Sequence, residues 1–359
     1  MIIKKLTHLK DWYEHNERVV STGSLMFGFV FDSLTLQRID ALRENVWIAL
    51  NLLLVAVCII ILSRRKGEAT GWGHFWTINL LQFGFGALLG AFFIFYFRSS
   101  ALATAWPFLL IILLAMVANE LFQKRYARLA FQLSFFYLAI FSFTIFLLPL
   151  ILKSISAWVF VLSAVVSVGA IWLFIKILDR FAKEKFLEEK TRVWRFITVI
   201  FVSINILYFT NLIPPIPLSL KDIDVYHFVS RDTEGNYLVT EEKKRWADYF
   251  RLHEEVHWSE GEPLYVYSAI FSPGSLNTDI VHEWQYKNEG GEWITSTRIP
   301  IFISGGREGG FRTYSTKYNL SPGLWRVDVE TPRGQLLGRK TFEIIASGEG
   351  SILETEIKR

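Results

Sequence analysis

Long runs of apolar residues fill the chain between residues 46 and 213, and short alternating runs follow them. Six of the long runs are close to the roughly 20 helical residues that cross a hydrocarbon core. They are Val46–Leu62, Phe75–Phe97, Ala101–Ala118, Ala130–Leu152, Ala157–Leu178 and Trp194–Ile213. Trp residues lie near the starts of four runs, at the depth that amphipathic rings prefer. The pattern predicts an α-helical membrane bundle of six spans over residues 46–213.

Basic residues are concentrated in every second loop between these runs. The three rich loops contain Arg64, Arg65 and Lys66, then Lys124, Arg125 and Arg128, then Arg180, Lys183, Lys185, Lys190 and Arg192. The alternate loops contain only Arg98 and Lys153. Loops rich in Lys and Arg stay in the cytoplasm. We therefore expect a multi-pass membrane protein, with the residues after Ile213 outside the cytoplasm.

Residues 1–45 are predicted as an N-terminal interfacial segment. Ile2, Leu6 and Leu9 recur at helical spacing beside lysines, as in a basic helix on the anionic cytoplasmic leaflet. Six spans and an external C-terminus would instead place the N-terminus outside. The segment Ser24–Leu36 resolves this conflict if it is a short or re-entrant seventh span. It is short and contains Asp32, so an interfacial helix is favoured, and the side of the N-terminus stays open.

Composition and charge divide the chain in the same place. The 359 residues are 52% hydrophobic, with a mean hydropathy of +0.30. Residues 1–215 carry 21 Lys and Arg against 12 Asp and Glu, a net +9, whereas residues 216–359 carry 17 against 22, a net −5. An acidic second half argues against a nucleic-acid partner. The single cysteine, Cys58, excludes a fold held together by intramolecular disulfides.

The second half begins with a stiff connector, Pro214-Pro215-Ile216-Pro217. Residues 214–262 are predicted as a connector that includes a possible helix over Glu241–His257. From 263 to 346, alternating runs separated by turn residues predict six strands and an all-β, sandwich-like domain. The strands are Pro263–Phe271, Ile280–Lys287, Trp293–Ile303, Phe311–Lys317, Leu324–Thr331 and Gln335–Ile345. Residues 347–359 are predicted as a frayed polar tail.

Four short motifs in this region resemble a known family. In chain order they are Gly261-Glu262-Pro263-Leu264, His282-Glu283-Trp284, Arg312-Thr313-Tyr314-Ser315 and Gly323-Leu324-Trp325-Arg326-Val327. Together they resemble the bacterial domain-of-unknown-function family 2914 over Gly261–Ile345, about a quarter of the chain. The multi-span half looks like the membrane region that accompanies this domain in some envelope proteins. The resemblance implies a domain boundary and no activity.

One segment matches a metal-site motif. His253-Glu254-Glu255-Val256-His257 fits H-E-x-x-H, in which two histidines one helical turn apart bind zinc and the glutamate activates water. No third ligand stands at a recognisable spacing, and a helix end with solvated histidines is the favoured interpretation. No cofactor is therefore predicted, and zinc at His253 and His257, with Glu254 as catalytic residue, is the less favoured alternative.

The candidate binding residues lie on one predicted strand and around one loop. His282, Trp284 and Tyr286 share a strand face, opposite Glu283, Gln285 and Lys287. That face is predicted to be core, and the alternative is an aromatic platform for a sugar ring or a peptide. The glycine-rich loop is Ser304-Gly305-Gly306-Arg307-Glu308-Gly309-Gly310. It is either a flexible connection or an anion cradle, in which Arg307 and the nearby Arg312 would assist the backbone N–H groups.

The predicted spans carry few groups that suit transport. Gly86 and Gly90 form a small-residue helix face that is predicted to pack inside the bundle, with oligomer formation as the alternative. No acidic or basic residue lies near the middle of a run, which disfavours ion-coupled transport. We therefore expect a non-catalytic protein whose external β-domain binds an envelope glycan or protein. The alternatives are a membrane-anchored metal-dependent hydrolase and a transporter with a regulatory external domain.

Overall fold

The computed structural model describes residues 41–64, 72–99, 101–121, 128–243, 251, 253–273, 276–305, 309–346 and 352–358. They divide into two compact units. One is helical and contains most of the described residues up to Thr210. The other is β-rich and contains Asn211–Arg359 with the short segments Ser99–Ala105 and Lys153–Ile155. The interfacial segment predicted over residues 1–45, including Ser24–Leu36, lies almost entirely outside the described residues.

Five helices occur in the described part of the helical unit. They are α1 (Leu42–Arg64), α2 (Trp72–Arg98), α3 (Leu102–Leu121), α4 (Leu129–Leu152) and α5 (Ala157–Phe209). Four of them, α1, α2, α4 and α5, are long and apolar enough to cross a membrane, and α3 contains a shorter apolar stretch, Thr104–Asn119. Large apolar side chains such as Leu53 and Val165 are 61% and 62% exposed. Such an exposed apolar surface suits hydrocarbon better than water.

The fifth and sixth predicted runs lie in one helical element, α5, with no loop between them. The residues that join the runs are rich in Lys, Glu, Arg and Leu, which all favour helix, so their charge does not end it. The backbone leaves helical geometry at Ala182 (φ −147°, ψ 45°). Phe160 and Tyr208 nevertheless stack with ring centroids 3.5 Å apart, whereas a straight helix would separate them by about 70 Å. Helix α5 is therefore a hairpin with arms 157–181 and 183–209.

Small and polar side chains bring the helices together. A Cβ at Gly84 would lie 2.7 Å from Val55 Cγ2, so glycine allows α2 to approach α1 closely. Gly86 faces Asn119 of α3, and Asn119 Nδ2 donates a hydrogen bond to the Gln82 carbonyl oxygen (3.3 Å). In the arm 157–181, the Ser163 carbonyl accepts a hydrogen bond from Thr144 Oγ1 of α4 (3.2 Å). The predicted small-residue face at Gly86 thus contacts a helix of the same chain.

Eleven strands form three sheets in the described part of the β-rich unit. The strands are β1 (Ser219–Tyr226), β2 (Phe228–Arg231), β3 (Tyr237–Glu242), β4 (Glu254–Trp258), β5 (Leu264–Phe271), β6 (Asn277–Lys287), β7 (Trp293–Ser304), β8 (Phe311–Lys317), β9 (Gly323–Glu330), β10 (Leu336–Ala346) and β11 (Leu353–Lys358). The sheet orders are β1-β5-β8, β4-β10-β9-β6-β7 and β11-β3-β2. Neighbours are antiparallel, except that β4 is parallel to β10.

The three-stranded sheet of β1, β5 and β8 contributes to a core on each of its faces. On one face, Leu264 and Val266 pack with Trp284, Trp325 and other residues of the five-stranded sheet. On the other face, Tyr267 and Ala269 pack with residues of β2 and β3. Successive residues of β5 therefore enter different cores, which is why nearly every position of this strand is buried.

The six predicted strands correspond to β5–β10, which confirms a β-rich C-terminal region. The helix predicted over Glu241–His257 is wrong at both ends, because β3 continues to Glu242 and Glu254–Trp258 is a strand. Pairing with β10 and burial of Val256 and Trp258 in the core outweigh the local helix pattern. The frayed tail is also wrong for Leu353–Lys358, because that segment pairs with β3.

Candidate functional site

His282 lies in the interior of the β-rich unit and is fully buried. Its Nε2 atom is 2.9 Å from Ser268 Oγ, and its Nδ1 atom is 2.9 Å from Ser315 Oγ. Burial lowers the pKa of His282 to about 4, so the imidazole is neutral at physiological pH. Both ring nitrogens have hydroxyl partners, which is the condition for burying a polar ring without a large penalty.

Trp284 and Tyr286 continue the same strand face. Trp284 has no exposed surface, and its Nε1 donates a hydrogen bond to Ser315 Oγ (3.0 Å). Tyr286 is partly buried, with its ring 5.6 Å from that of Trp325. The prediction that His282 and Trp284 are core residues is confirmed by their burial. As neither ring has an exposed face, the alternative of a surface platform does not fit these two residues.

The H-E-x-x-H segment is extended, so its histidines are not one helical turn apart. Four residues of strand separate His253 from His257 by roughly 13 Å, too far to bind one ion together. His257 instead contacts Glu242, with Nδ1 2.7 Å from Oε2, and the same carboxylate has Oε1 2.9 Å from His227 Nε2. Burial alone would raise the pKa of Glu242, but the hydrogen bonds from both histidines outweigh it and lower the pKa.

No metal centre takes the place of that motif in the described part of the chain. Among the described residues, no group of three or more His, Cys, Asp and Glu side chains is arranged to hold a metal ion. Glu254 forms an ion pair with Lys340, so its carboxylate is engaged with a cation instead of with water at a metal. The geometry that the zinc alternative requires is therefore missing.

Two described glycines of the glycine-rich loop, Gly305 and Gly310, are required by close backbone contacts. A Cβ at Gly305 would lie 2.1 Å from the Pro273 carbonyl oxygen, and Gly310 has φ +87° with Ile270 backbone atoms within 3.1 Å of its Cβ position. Arg307 lies outside the described residues. Arg312 is on β8, where its positive charge acts to lower the pKa of Tyr267 and its carbonyl accepts a hydrogen bond from the Tyr237 hydroxyl (2.8 Å). Of the two candidate arginines, Arg312 thus belongs to an aromatic cluster.

That cluster ends in an exposed aromatic patch, formed by Phe228, Tyr265, Tyr314 and Tyr318. Tyr265 lies between Phe228 and Tyr314, with ring centroids 5.7 and 5.9 Å away. Phe228, Tyr314 and Tyr318 are 50%, 36% and 58% exposed. Burial, followed by the neighbouring phenols of Tyr318 and Tyr314, raises the pKa of Tyr265, so its hydroxyl stays protonated at neutral pH. The patch therefore presents ring faces and neutral hydroxyl groups together.

The aromatic patch was not predicted from the sequence. Alternation along β5 marks Tyr265 and Tyr267 as residues of one face, and this signal was available. The pairing of β5 with β8, which sets Tyr267 opposite Tyr314, depends on register between strands more than 40 residues apart. The aromatic row predicted on β6 has His282 and Trp284 in the interior. The exposed aromatic side chains of the patch lie instead beside β8, an edge strand of its sheet.

The outer face of the five-stranded sheet carries a charged array, formed by Glu283, Arg298, Arg326, Asp328, Glu330 and Arg339. Arg339 binds Asp328 through two hydrogen bonds of 2.5 Å, and Arg298 donates to Glu330 (2.6 Å). The Arg326 guanidinium lies 4.3 Å from the ring centroid of Trp293. Burial and the Glu283 carboxylate raise the pKa of Glu330 to about 7, although Arg298 opposes the shift.

The strands β6–β10 are also the part of the chain that a known family matches. Residues 277–344 match the family DUF2914, described as a protein of unknown function. The match confirms the resemblance inferred from the sequence motifs for these residues. No curated protein matches the chain. The DUF2914 region contains His282, Trp284 and the whole charged array, whereas Phe228 and Tyr265 of the aromatic patch lie outside it.

Several solved structures show weak similarity. An immunoglobulin-like protein from Pseudomonas aeruginosa is 13% identical, with 36% of this chain and 96% of that chain covered and a TM-score of 0.20. A β-glucosidase from Listeria innocua in complex with gluconolactone is 14% identical, with 33% and 17% covered and a TM-score of 0.19. An alkylpurine DNA glycosylase from Pseudomonas fluorescens is 11% identical, with 86% and 99% covered and a TM-score of 0.23. TM-scores this low do not indicate a shared overall fold.

Proposed function

We propose that the protein is a multi-pass protein of the bacterial inner membrane that presents an extracytoplasmic, sandwich-like β-domain for binding. In this proposal the bundle crosses the membrane six times. Helices α1–α4 cross once each, and the two arms of the α5 hairpin supply the fifth and sixth crossings. The stacking of Phe160 on Tyr208 supports two antiparallel arms.

The orientation is supported by contacts among the three basic loops. Arg64, which ends α1, has its guanidinium 5.0 Å from the ring centroid of Phe181 at the α5 bend. The backbone N–H of Ala130, in the first turn of α4, donates a hydrogen bond to Glu189 Oε2 just beyond that bend (2.6 Å). The residues that border all three basic loops therefore lie at one end of the bundle. By the positive-inside rule this end is cytoplasmic, and the chain leaves α5 on the opposite side.

The ligand that suits the aromatic patch best is a neutral saccharide chain. Tyrosine rings bind through an apolar face, and their hydroxyl groups donate and accept hydrogen bonds at the ring edge. A sugar ring offers the matching combination of C–H face and hydroxyl rim. The observation that carries this proposal is the exposure of Phe228, Tyr314 and Tyr318 around Tyr265. In this proposal the role is non-catalytic and needs no resident cofactor, and neither the hydrolase nor the transporter is proposed.

Reporter fusions test the topology. Alkaline phosphatase, which is active only outside the cytoplasm, should be active when fused after Lys153 or Arg359. It should be inactive when fused after Arg128 or Ala182. An inactive fusion at Arg359 together with an active fusion at Ala182 would show the opposite orientation. Equal activity of the fusions at Ala182 and Lys153 would contradict the two-arm crossing of α5.

Saturation-transfer NMR tests the ligand. Purified protein in detergent should transfer magnetisation to the ring protons of chitotetraose or cellotetraose, both neutral oligosaccharides. The double variant Tyr314→Ala/Tyr318→Ala should lose this transfer. Phe302→Ala removes an equally exposed aromatic ring from β7, outside the patch, and should retain it. No transfer with the wild-type protein would contradict saccharide binding and favour a protein partner. Equal transfer with the tyrosine variant would contradict the aromatic patch as the binding site.

A further inference from the structure

Three carboxylates lie side by side in the charged array, on the two central strands of their sheet. Glu283 on β6 is directly opposite Asp328 on β9, and Glu330 is two residues further along β9. Their side chains project away from the core that holds Trp284, yet Glu283, Asp328 and Glu330 are only 9%, 5% and 6% exposed. Burial of this kind requires that each negative charge be compensated.

Compensation is unequal among the three. Asp328 receives both hydrogen bonds of the Arg339 fork, a geometry that fully engages a carboxylate. Glu330 receives one hydrogen bond from Arg298, whose side chain is 49% exposed. Glu283 Oε1 accepts a hydrogen bond from the neutral hydroxyl of Thr295 (2.7 Å). Arg326 donates to Gln285 Oε1 (2.6 Å) instead of to a carboxylate. Arg298 also lies directly opposite Glu283 across β6 and β7, so one arginine serves two carboxylates. Glu330 is therefore less well compensated than Asp328.

We propose that Glu330 is a pH-responsive carboxyl group on the outer face of the DUF2914 region, with Glu283 as the neighbouring carboxylate. With the proton bound, Glu330 donates a hydrogen bond to Glu283, and the face carries one additional positive charge because Arg298 is no longer balanced. When the proton leaves to solvent, two carboxylates face each other and Arg298 is held by Glu330. The exposed Arg298 guanidinium is thus released in acid and engaged in base.

The surroundings of Glu330 support this exchange. The charged groups on its own strand and on neighbouring strands are Asp279 and Glu283 on β6, Arg298 on β7, Arg326 and Asp328 on β9, and Arg339 on β10. Burial comes first and Glu283 second among the causes that raise the pKa of Glu330 to about 7, and Arg298 acts in the opposite direction. A buried carboxyl group beside other carboxylates keeps its proton to higher pH, because like charges at short range repel each other.

Infrared difference spectroscopy of the purified full-length protein in detergent tests whether Glu330 is protonated. A protonated carboxyl group has a C=O stretch that a carboxylate lacks, so wild-type protein should gain this band as the pH falls from about 8 to 6. Glu330→Gln should remove the band, since glutamine mimics the protonated acid without titrating. Glu343→Gln changes an exposed glutamate on the same face of β10 and should leave the band unchanged.

Two further variants should move the midpoint of the band in opposite directions. Glu283→Gln removes the neighbouring negative charge and should lower the midpoint by about 1 pH unit or more. Arg298→Gln removes the positive charge and should raise it. Circular dichroism at pH 6 verifies folding, and these two variants decide the question if Glu330→Gln does not fold. Absence of the band in wild-type protein between pH 8 and 6, or an unchanged midpoint in Glu283→Gln, would overturn the proposal.

Discussion

Replacement of Trp284 by alanine should lower the melting temperature of the β-rich unit by roughly 6–20 °C. Trp284 has no exposed surface and packs in a core formed by two sheets. Removal of such a ring costs about 3–5 kcal/mol, from the lost transfer free energy and from the cavity that remains. For a unit of about 150 residues, 1 kcal/mol corresponds to roughly 2–4 °C. The loss is a large share of the 5–15 kcal/mol that typically stabilises a domain.

The hydrogen bond of Trp284 can be separated from its packing. Trp284→Phe keeps an aromatic ring in the core but removes the N–H that Ser315 Oγ accepts. We expect it to cost about 1 kcal/mol for the hydrogen bond, together with a smaller packing loss than in alanine. Phe302→Ala is the matched surface control, because Phe302 is 62% exposed. Such a change usually stays within about 0.5 kcal/mol.

Thermal proteolysis of the purified chain, with detection of a C-terminal epitope, measures these differences. The expected order of melting temperatures is Phe302→Ala highest, then Trp284→Phe, then Trp284→Ala. If Trp284→Ala melts with the wild-type protein, Trp284 is not a core residue. If Trp284→Phe equals Trp284→Ala, the hydrogen bond carries the effect and the packing argument is refuted.

Four other predictions follow, two on pH, one on helix packing and one on domain limits. Denaturant melts should show the wild-type free energy of unfolding falling, relative to that of Glu330→Gln, as the pH rises from about 4.5 to 7. The loss should be at most about 3 kcal/mol, because in this range folded Glu330 retains a proton that the unfolded state releases. Relative to His282→Gln, wild-type stability should instead rise as the pH increases from about 4 to 6.5. Burial keeps His282 neutral in the folded state, whereas the unfolded state binds a proton in this range. Gly84→Ala should lower the melting temperature of the helical unit in detergent, whereas Gly169→Ala, with open space around its Cβ, should not. Residues 211–359 expressed alone should melt cooperatively by circular dichroism, and residues 211–346 should melt lower because β3 loses β11.

The sequence predicted the strands whose alternation is local and missed those that depend on distant partners. Strands β5–β10 have period-2 patterns bounded by Gly and Pro turns, so propensity and tertiary structure agree. Strand β4 has two glutamates before Val256 and a histidine between Val256 and Trp258, and it pairs with β10, nearly 90 residues later. Nothing local to Glu254–Trp258 reveals that pairing, and the H-E-x-x-H pattern favoured a helix instead. Strand β11 depends in the same way on β3.

Hydropathy likewise predicted the apolar helices but not the form of α5. Residues near Ala182 are too polar for a span and were therefore assigned to a loop. Their high helix propensity keeps the chain helical up to the bend and after it. The fold-back of the two arms is visible only through long-range contacts such as that of Phe160 with Tyr208.

The outer face of the five-stranded sheet shows why alternation along β6 does not predict the burial of its polar residues. Alternation along β6 correctly assigned Trp284 to the core and then assigned Glu283 and Gln285 to solvent. In the structure both are buried, because β9 and β7 place Arg326 and Arg298 on the same face. Arginine side chains are long enough to lie over the shorter carboxylates of central strands. The protonation of Glu330 therefore depends on strands more than 30 residues apart in sequence, and it follows from the register of β7, β6 and β9.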